Sequence, residues 1–448
     1  MKVLVVGSGG REHALVWRLK HDDPTINLHC APGNGGTSQI AINHDVNPIN
    51  IEELLDLAKE ELFDLTIVGS ELPLTLGIVD RFGDEGLPIF GSSEEAARIE
   101  GSKVWAKTFM RKYGIPTADF YISYDPNLAR IYGLNILEQY DAGVVKADGL
   151  AGGKGVIPYR SSDELVGAIR TIMIDRKFVD AGDRVVIEQF LLGEEASFLV
   201  FTDGEHIVSL PVTQDHKPVY DGNKGPNTGG MGVYGPAPLI NLGLHQKVMD
   251  TIVRPTIQGL SDEGIVYKGI LYVGLMIVDS EPYVLEYNCR FGDPETQPQM
   301  LLLNSPLLPI LHACREGNLN EVNVDYRLGH SVCVVLASKG YPGDYKDNLG
   351  KPVHGLEVLR DRDDIVAFHA GTRLQDSQII TSSGRVLGIT SYSDRGLRDA
   401  IEKTYSVIGP KGIWFDDMHY RRDIGAKGLR GWNWLWKKYT IQVNIQEN

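Results

Sequence analysis

The sequence predicts an α/β protein that opens on a doubly wound parallel sheet and closes on a mixed α/β unit. Three observations lead there. Short apolar runs alternate with amphipathic segments from Met1 to about Phe90. A glycine turn, Gly7-Ser8-Gly9-Gly10, directly follows the first of those runs. Val-rich strands alternate with helices again from about Ser331. At about 100–200 residues per domain, 448 residues make two to four domains.

Each element follows from its local pattern. Val3–Val6 is a short apolar strand, Glu12–Lys20 a helix and Asn27–Cys30 a second strand. Ile51–Glu61 is an amphipathic helix with Leu54, Leu55, Ala58 and Leu62 on one side. Leu65–Val68 and Pro88–Phe90 follow as strands. Strands separated by helices imply parallel pairing, because the helix carries the chain back across the sheet. Lys103–Lys112 is a helix ended by Gly114 and Pro116. The chain then turns strand-rich, at Gly143–Ala147, Arg184–Phe190, Ser197–Thr202 and Ile207–Val212. A long helix, Leu244–Leu260, precedes the strands Gly269–Val278 and Tyr283–Tyr287, which read as a hairpin around Asp279-Ser280-Glu281-Pro282. The end, Gly431 to Asn448, gathers Trp432, Trp434 and Trp436 before Lys437 and Lys438. It reads as a packed extension, with a partner contact as the alternative.

Composition excludes several classes. Lysine and arginine number 44 against 59 aspartate and glutamate, a formal net charge of −15. So acidic a chain repels phosphate over most of its surface, and nucleic acid is not an expected partner. Small anions can still bind where basic groups cluster. Cys30, Cys289, Cys314 and Cys333 make no C-x-x-C pair and no zinc-spaced cluster, so they read as free thiols in a reducing cytosol. The apolar run after Met1 is too short for a signal peptide, and Met300–Ala313 is broken by Asn304, Ser305, Pro306 and Pro309. No membrane contact is expected, and the chain reads as soluble and cytoplasmic.

Five segments carry candidate chemistry. The turn Gly7–Glu12 lies between strand and helix, where free amides and the helix dipole favour a phosphate. It is not a dinucleotide fingerprint: Glu12 stands where glycine is needed, and the second strand ends in Cys30-Ala31-Pro32 rather than an acid. A single phosphate and an empty tight turn both stay open. The second segment, Lys146–Val156, departs from Walker A at Asp148 and Gly155. Its four glycines and two lysines still suit a flexible phosphate cradle. The third, Val186–Glu195, reads alone as a buried strand and a solvated turn. The fourth, Glu286–Glu295, puts Glu286, Asn288 and Arg290 on one strand face by alternation. Carboxylate, amide oxygen and guanidinium together suit Mg2+ and phosphate, because Mg2+ takes hard oxygens and often few carboxylates. The fifth, Gln214–Lys217 with Gly225–Gly232, suits a substrate loop whose substrate the spacing does not name.

In this order the segments resemble the glycinamide ribonucleotide synthetase family of ATP-grasp ligases, from Met1 to about Leu429. The likeness is carried by VGSGGREHAL, APGNGGT, EGSKVWAK, KADGLAGGKGV, QDHKPVYDGNKGPNTGGMG, EYNCRFGDPETQ, VVLASKGYPG, FHAGT and YRRDIG. GPNTGGMG and RFGDPETQ are the most specific. The resemblance implies an ATP-grasp fold: a substrate domain over 1–102, an ATP-grasp domain over 103–328 with 117–192 as its smaller lobe, a C-terminal domain over 329–430, and an atypical tail, 431–448. It implies a ligase that joins glycine to 5-phosphoribosylamine through glycyl phosphate, with ATP as co-substrate and Mg2+ or Mn2+ as metal.

The resemblance also implies roles. Lys103 and Lys146 contact ATP phosphates beneath a flap holding Gly152, Gly153, Lys154 and Gly155. Glu188 and the backbone at Phe190 and Leu191 hold adenine, and Glu195 the ribose hydroxyls. Glu286 and Asn288 bind the metal. Arg290 meets the transferred phosphoryl and the glycine carboxylate, Asp215 takes the glycine amine, and Asn227 and Thr228 line the substrate loop. Phosphoribosylamine lies among Gly9, Gly10, Asn34, Glu71 and Arg421. Arg290, Lys146 and Asp215 are the catalytic candidates. A transient contact with the upstream enzyme of purine synthesis is a further expectation. The chain departs from the family at Ser70 and Leu72, at Cys289, and at Tyr272-Val273-Gly274-Leu275, which carries no second metal carboxylate. Two rivals stand beside this reading. One is a formyl or carboxyl ligase of the same fold, against which GPNTGGMG argues. The other is a nucleotide-binding regulator without turnover, against which Glu286, Asn288 and Arg290 argue.

Overall fold

The computed structural model describes residues 1–150 and 155–429. Its first sheet follows from the alternation of strands and helices. Ile42–Asn43, Asn27–Pro32, Lys2–Gly7, Leu65–Val68 and Ile89–Phe90 lie side by side in that order, all parallel. The chain winds out to one side of Lys2–Gly7 and then to the other, so the crevice of a doubly wound sheet opens at the end of that strand. Val3, Leu4, Val5 and Val6 are fully buried, as a parallel strand covered on both faces requires.

Two four-stranded sheets form the middle of the chain. Phe120–Ser123, Val185–Gln189, Gly143–Ala147 and Val156–Tyr159 make the smaller, backed by the helices Pro126–Tyr140 and Ser162–Ile169. Ile207–Ser209, Glu194–Thr202, Gly269–Val278 and Glu281–Asn288 make the larger. The last two form the expected hairpin, with Asp279 and Ser280 at φ of 50° and 66°, the left-handed pair that a two-residue hairpin turn needs. Gly274 faces Glu286 while Leu275 faces Val284, so Leu285 is a bulge.

The fourth sheet orders Gln214–Asp215, Gly232–Gly235, His330–Ser338, Arg385–Ser393 and Ile365–His369, with Met418–His419 beside His330–Ser338. It is not confined to the C-terminal third: both strands flanking the glycine-dense loop belong to it.

Three expectations are corrected. The long helix runs Leu242–Asp262 with a π turn at Met249–Val253. Pro255 lacks an amide and clashes one turn back, and the wider turn absorbs this. The strand from Ile207 stops at Ser209, since Pro211 cannot donate to a ladder. Most consequentially, Arg290 is not on the strand, which ends at Asn288. The Cys289 amide donates to the Glu100 carboxylate at 2.8 Å instead of to a neighbouring strand. The tail 431–448 lies outside the described residues. Among those described, no helix is long and apolar enough to cross a membrane.

Candidate active site

The floor of the site is a buried acid between two lysines. Glu188, next to last in the strand Val185–Gln189, has its carboxylate facing Lys107 and Lys146, all three withdrawn from solvent. Strand pairing sets Val144 against Glu188, which delivers Lys146 beside it. Lys107 lies one helical turn after Lys103 and also donates to Thr117 Oγ1 at 2.6 Å. Burial lowers Lys107 to about 8 against the pull of Glu188. Burial pushes Glu188 up, but the two lysines outweigh it and hold it below the ordinary carboxylate range. Lys146 reaches across to the bulge, donating to the Leu285 carbonyl at 3.2 Å.

The base of the flap is fixed to the Lys103 helix. Lys103 donates to the Gly149 carbonyl at 2.9 Å. Asp148 accepts from Ser102 Oγ at 3.0 Å and Val104 N at 2.9 Å, and pairs with Arg184. The Gly155 carbonyl accepts from Ala147 N at 2.8 Å. Gly152, Gly153 and Lys154 lie outside the described residues. The Phe190 amide is used by Ala142 O at 3.2 Å, and Leu191 packs against Ala118 and Met276.

Above the floor stands Glu286. Burial pushes its carboxyl up, but Lys217, Lys103, Lys146 and Arg290 more than cancel this and keep it ionised. Lys217 Nζ lies 3.2 Å from Glu195 and 3.7 Å from Glu286. The Glu195 carboxylate above all holds that ammonium protonated well beyond the usual lysine range. Arg290 donates to Glu71 at 3.1 Å, Glu100 at 3.1 Å and Asn288 Oδ1 at 3.0 Å. Burial would raise Glu71, yet Arg290 and then Arg11 bring it down to about 2. Glu286 and Asn288 fit a divalent ion: both offer hard oxygens, and the amide oxygen keeps a second lone pair beside Arg290. Among the described residues no group of three or more His, Cys, Asp and Glu forms a protein-only cage. Phosphate oxygens and water would have to complete such a shell, as Mg2+ prefers.

Asp215 is buried, and that burial, with Glu295 nearby, pushes its carboxyl up to about 8 against Lys217. A Cβ at Gly230, where φ is +118°, would stand 2.9 and 3.0 Å from its two oxygens. Only glycine lets the backbone come so close there. Glu295 accepts from Ser197 Oγ at 2.9 Å and from the Tyr272 hydroxyl at 2.8 Å. Thr228 donates its amide and its hydroxyl to the Lys217 carbonyl, at 2.8 and 2.7 Å. Asn227 is exposed and pairs with Pro218. Arg385 ties the loop to the acid after the strand, donating to Gly229 O at 2.8 Å and to the Asp293 carboxylate at 3.1 Å.

At the N-terminal turn one amide expected to be free is taken. Gly9 N donates to Glu12 Oε2 at 2.6 Å, and a Cβ at Gly7, Gly9 or Gly69 would overlap the Glu12 side chain. The residue that breaks the dinucleotide pattern thus fills the turn. A Cβ at Gly10 would meet Gln297 Nε2 at 2.6 Å and Asp293 Oδ1 at 3.6 Å. Asn34 donates to Ser8 O and His369 O, both at 2.8 Å, tying the turn to the fourth sheet. Arg421 stands apart. It bonds Asp423 at 2.7 Å, Asn223 at 2.9 Å and Pro218 O at 3.0 Å. Among the described residues none of its hydrogen bonds reaches Gly9, Gly10, Asn34 or Glu71. Lys107, Lys217, Glu100, Glu295 and Arg385 were missed from sequence. For two of them a signal existed: Lys107 is four residues after Lys103 on one helix, and Lys217 is two after Asp215.

Family models for phosphoribosylglycinamide synthetase match three consecutive stretches: the N domain over 1–100, the ATP-grasp (A) domain over 101–296 and the C domain over 331–427. The chain is 45% identical over 434 residues to a phosphoribosylamine–glycine ligase of Pseudomonas aeruginosa, covering 96% of this chain and 98% of that one. With its counterpart in Escherichia coli K12 it shares 44% over 435 residues, 96% and 99% of the two chains. Among solved structures it is similar to the phosphoribosylamine–glycine ligase of Thermotoga maritima, with a TM-score of 0.79, 34% identity and coverage of 94% and 100%. The biotin carboxylase domain of Hydrogenobacter thermophilus 2-oxoglutarate carboxylase, in complex with MgADP, ADP and bicarbonate, shares the fold alone, at TM-score 0.71, 15% identity and coverage of 94% and 91%. With matches to all three of its domain models, the chain belongs to the phosphoribosylglycinamide synthetase family.

Proposed function

We propose that the cations around Glu286 are where this chain, an ATP-dependent phosphoribosylamine–glycine ligase of purine biosynthesis, activates its glycine. The reaction joins glycine to 5-phosphoribosylamine through glycyl phosphate and yields glycinamide ribonucleotide, ADP and phosphate. The observation that carries the placement is one half-buried, ionised carboxylate facing Lys217, Lys103, Lys146 and Arg290.

A glycine carboxylate oxygen attacks the γ-phosphorus, and the bond to ADP breaks. Charge then spreads over the transferred phosphoryl, and fixed ammonium groups meet it without reorganising. A divalent ion, Mg2+ or Mn2+, held by Glu286, Asn288 and phosphate oxygens supplies further charge neutralisation. Arg290 has five N–H groups and spends one on Glu71, one on Phe291 O and two on Glu100 and Asn288, which leaves one for an incoming anion. The amine of phosphoribosylamine next attacks the activated carbonyl, the carbon–oxygen bond to phosphate breaks, and the nitrogen loses a proton. No side-chain nucleophile is needed.

Asp215 is the candidate for the glycine ammonium and Glu195 for the ribose hydroxyls. Adenine is assigned to the Phe190–Leu191 backbone more than to Glu188, whose oxygens are engaged by lysines. Phosphoribosylamine is assigned to Gly9, Gly10, Asn34 and Glu71. Neither nucleic acid nor membrane enters this reading. The upstream enzyme is its one candidate protein contact, and the cytoplasm its place.

ADP release against Mg2+, with and without each co-substrate, tests the placement. Glu286→Gln should nearly abolish release. Asn288→Ala should be milder and respond to raised Mg2+, since water can replace a neutral ligand. Wild-type rates for Glu286→Gln at low Mg2+ would refute it.

A further inference from the structure

The strand beside Glu286 carries no second carboxylate. Gly274 faces Glu286 across the ladder, and a Cβ there would stand 3.3 Å from the Glu286 Cγ. A longer side chain at that position would press on the first acid rather than share a ligand with it. The space in front is filled from another element. The Lys217 ammonium lies 3.2 Å from Glu195 and 3.7 Å from Glu286, bridging the acid assigned to ribose and the acid assigned to metal.

That ammonium is held from behind. Both donors of Thr228 converge on the Lys217 carbonyl. The flanking strands, Gln214–Asp215 and Gly232–Gly235, pair with each other, and Gly232–Gly235 also pairs with His330–Ser338. A lysine so anchored is a fixed point charge, not a mobile surface group.

We propose that Lys217 is a catalytic cation standing where a second metal ion would otherwise bridge two carboxylates, and that Thr228 is the residue that positions it. The ligase then works with one divalent ion, and the ammonium faces the triphosphate from the Glu195 side. A second Mg2+ between these two carboxylates would have to displace the ammonium already there, which needs no further ligands. The inference rests on the placement of the metal at Glu286 and Asn288.

The test counts Mn2+ by paramagnetic resonance on the full chain with a non-hydrolysable ATP analogue, beside kcat for ADP release. The wild type should hold one Mn2+ per chain. Lys217→Met should keep that count and lose about a hundredfold in kcat, as when one fixed donor to a developing charge is removed. Excess Mn2+ should not restore it. Thr228→Val should lose about three- to tenfold in kcat at unchanged ATP KM, and Thr228→Ser should recover it. Two Mn2+ per chain in the wild type, near-wild-type kcat in Lys217→Met, or rescue of that variant by Mn2+ would overturn the proposal. Should Lys217→Met fail to fold, equal rates for the two Thr228 variants would overturn it. An unchanged Mn2+ count in Glu286→Gln would instead refute the metal placement beneath it.

Discussion

Glu188→Gln removes the one negative charge between two buried lysines. The side chains of Glu188, Lys107 and Lys146 are 2%, 3% and 7% exposed, so water cannot take its place. Breaking a buried pair from one side costs about 3–5 kcal/mol, because a charge is left without a partner. Against a typical stability of roughly 5–15 kcal/mol this is severe. Lys107 limits the loss by shedding its proton. In the wild type its ammonium already titrates at about 8, below the ordinary 10.5. Between those values the folded chain binds fewer protons than the unfolded one. Wild-type stability therefore rises with pH across that window, by about 3 kcal/mol. Without Glu188 the window opens lower, toward neutral pH. The assay is thermal unfolding of the full chain from pH 7 to 10. At pH 7 the variant's midpoint should fall by roughly 10 °C. The pair Glu188→Gln and Lys107→Met should recover most of it, because both charges go together. A single variant within about a degree of wild type, or a double variant as weak as the single, would refute the reasoning.

Two further outcomes follow from the Asp215 end. Its carboxyl ionises near 8 rather than near 3.8, so at lower pH it is neutral and cannot hold an ammonium. The KM for glycine should fall as pH rises through about 8, and Asp215→Asn should flatten that profile; a wild-type KM without the inflexion would separate Asp215 from glycine. Gly230→Ala should raise the glycine KM much more than the ATP KM, since the new methyl meets the Asp215 oxygens and Pro294 in a left-handed backbone. Equal rises in both constants would point to a general distortion instead.

Element positions were legible because local chemistry sets them. Helices Ile51–Glu61 and Lys103–Lys112 begin where Asn50 and Ser102 accept from the first turn, and both helices match their expected bounds. Strands Leu65–Val68, Gly143–Ala147 and Gly269–Val278 are likewise bounded as their apolar runs suggest. What stayed hidden is long-range. Glu188 reads alone as the end of a buried strand, and its partners arrive from a helix and another strand. Arg290 finds Glu71 219 positions away and Glu100 190 positions away, distances over which periodicity says nothing. Its departure from the strand depends on the same acid, through the Cys289 amide. The glycine-dense loop was legible as a polar substrate loop in composition, but not as part of the fourth sheet, because its two flanking strands are only two and four residues long.

Two of the departures from the family pattern, Ser70 and Leu72, fall where the chemistry does not pass. Leu72 is 43% exposed, so a larger apolar side chain there displaces nothing. Ser70 precedes the helix Glu71–Thr75 in an extended conformation without a side-chain cap bond, so a residue without a cap donor or acceptor would serve as well. Glu71 still reaches Arg290. Cys289 is a different case, because it is buried directly after the strand that ends at Asn288. Burial and the Glu100 carboxylate hold its thiol well above its usual range, so the sulfur keeps its proton. That proton points to Glu100 Oε2 at 3.2 Å, beside the Cys289 amide at 2.8 Å, while Glu100 Oε1 accepts from Arg290. A small apolar residue would leave the amide bond in place and remove only the weak thiol donor. The substitution therefore adds a second restraint on the acid that aims the arginine.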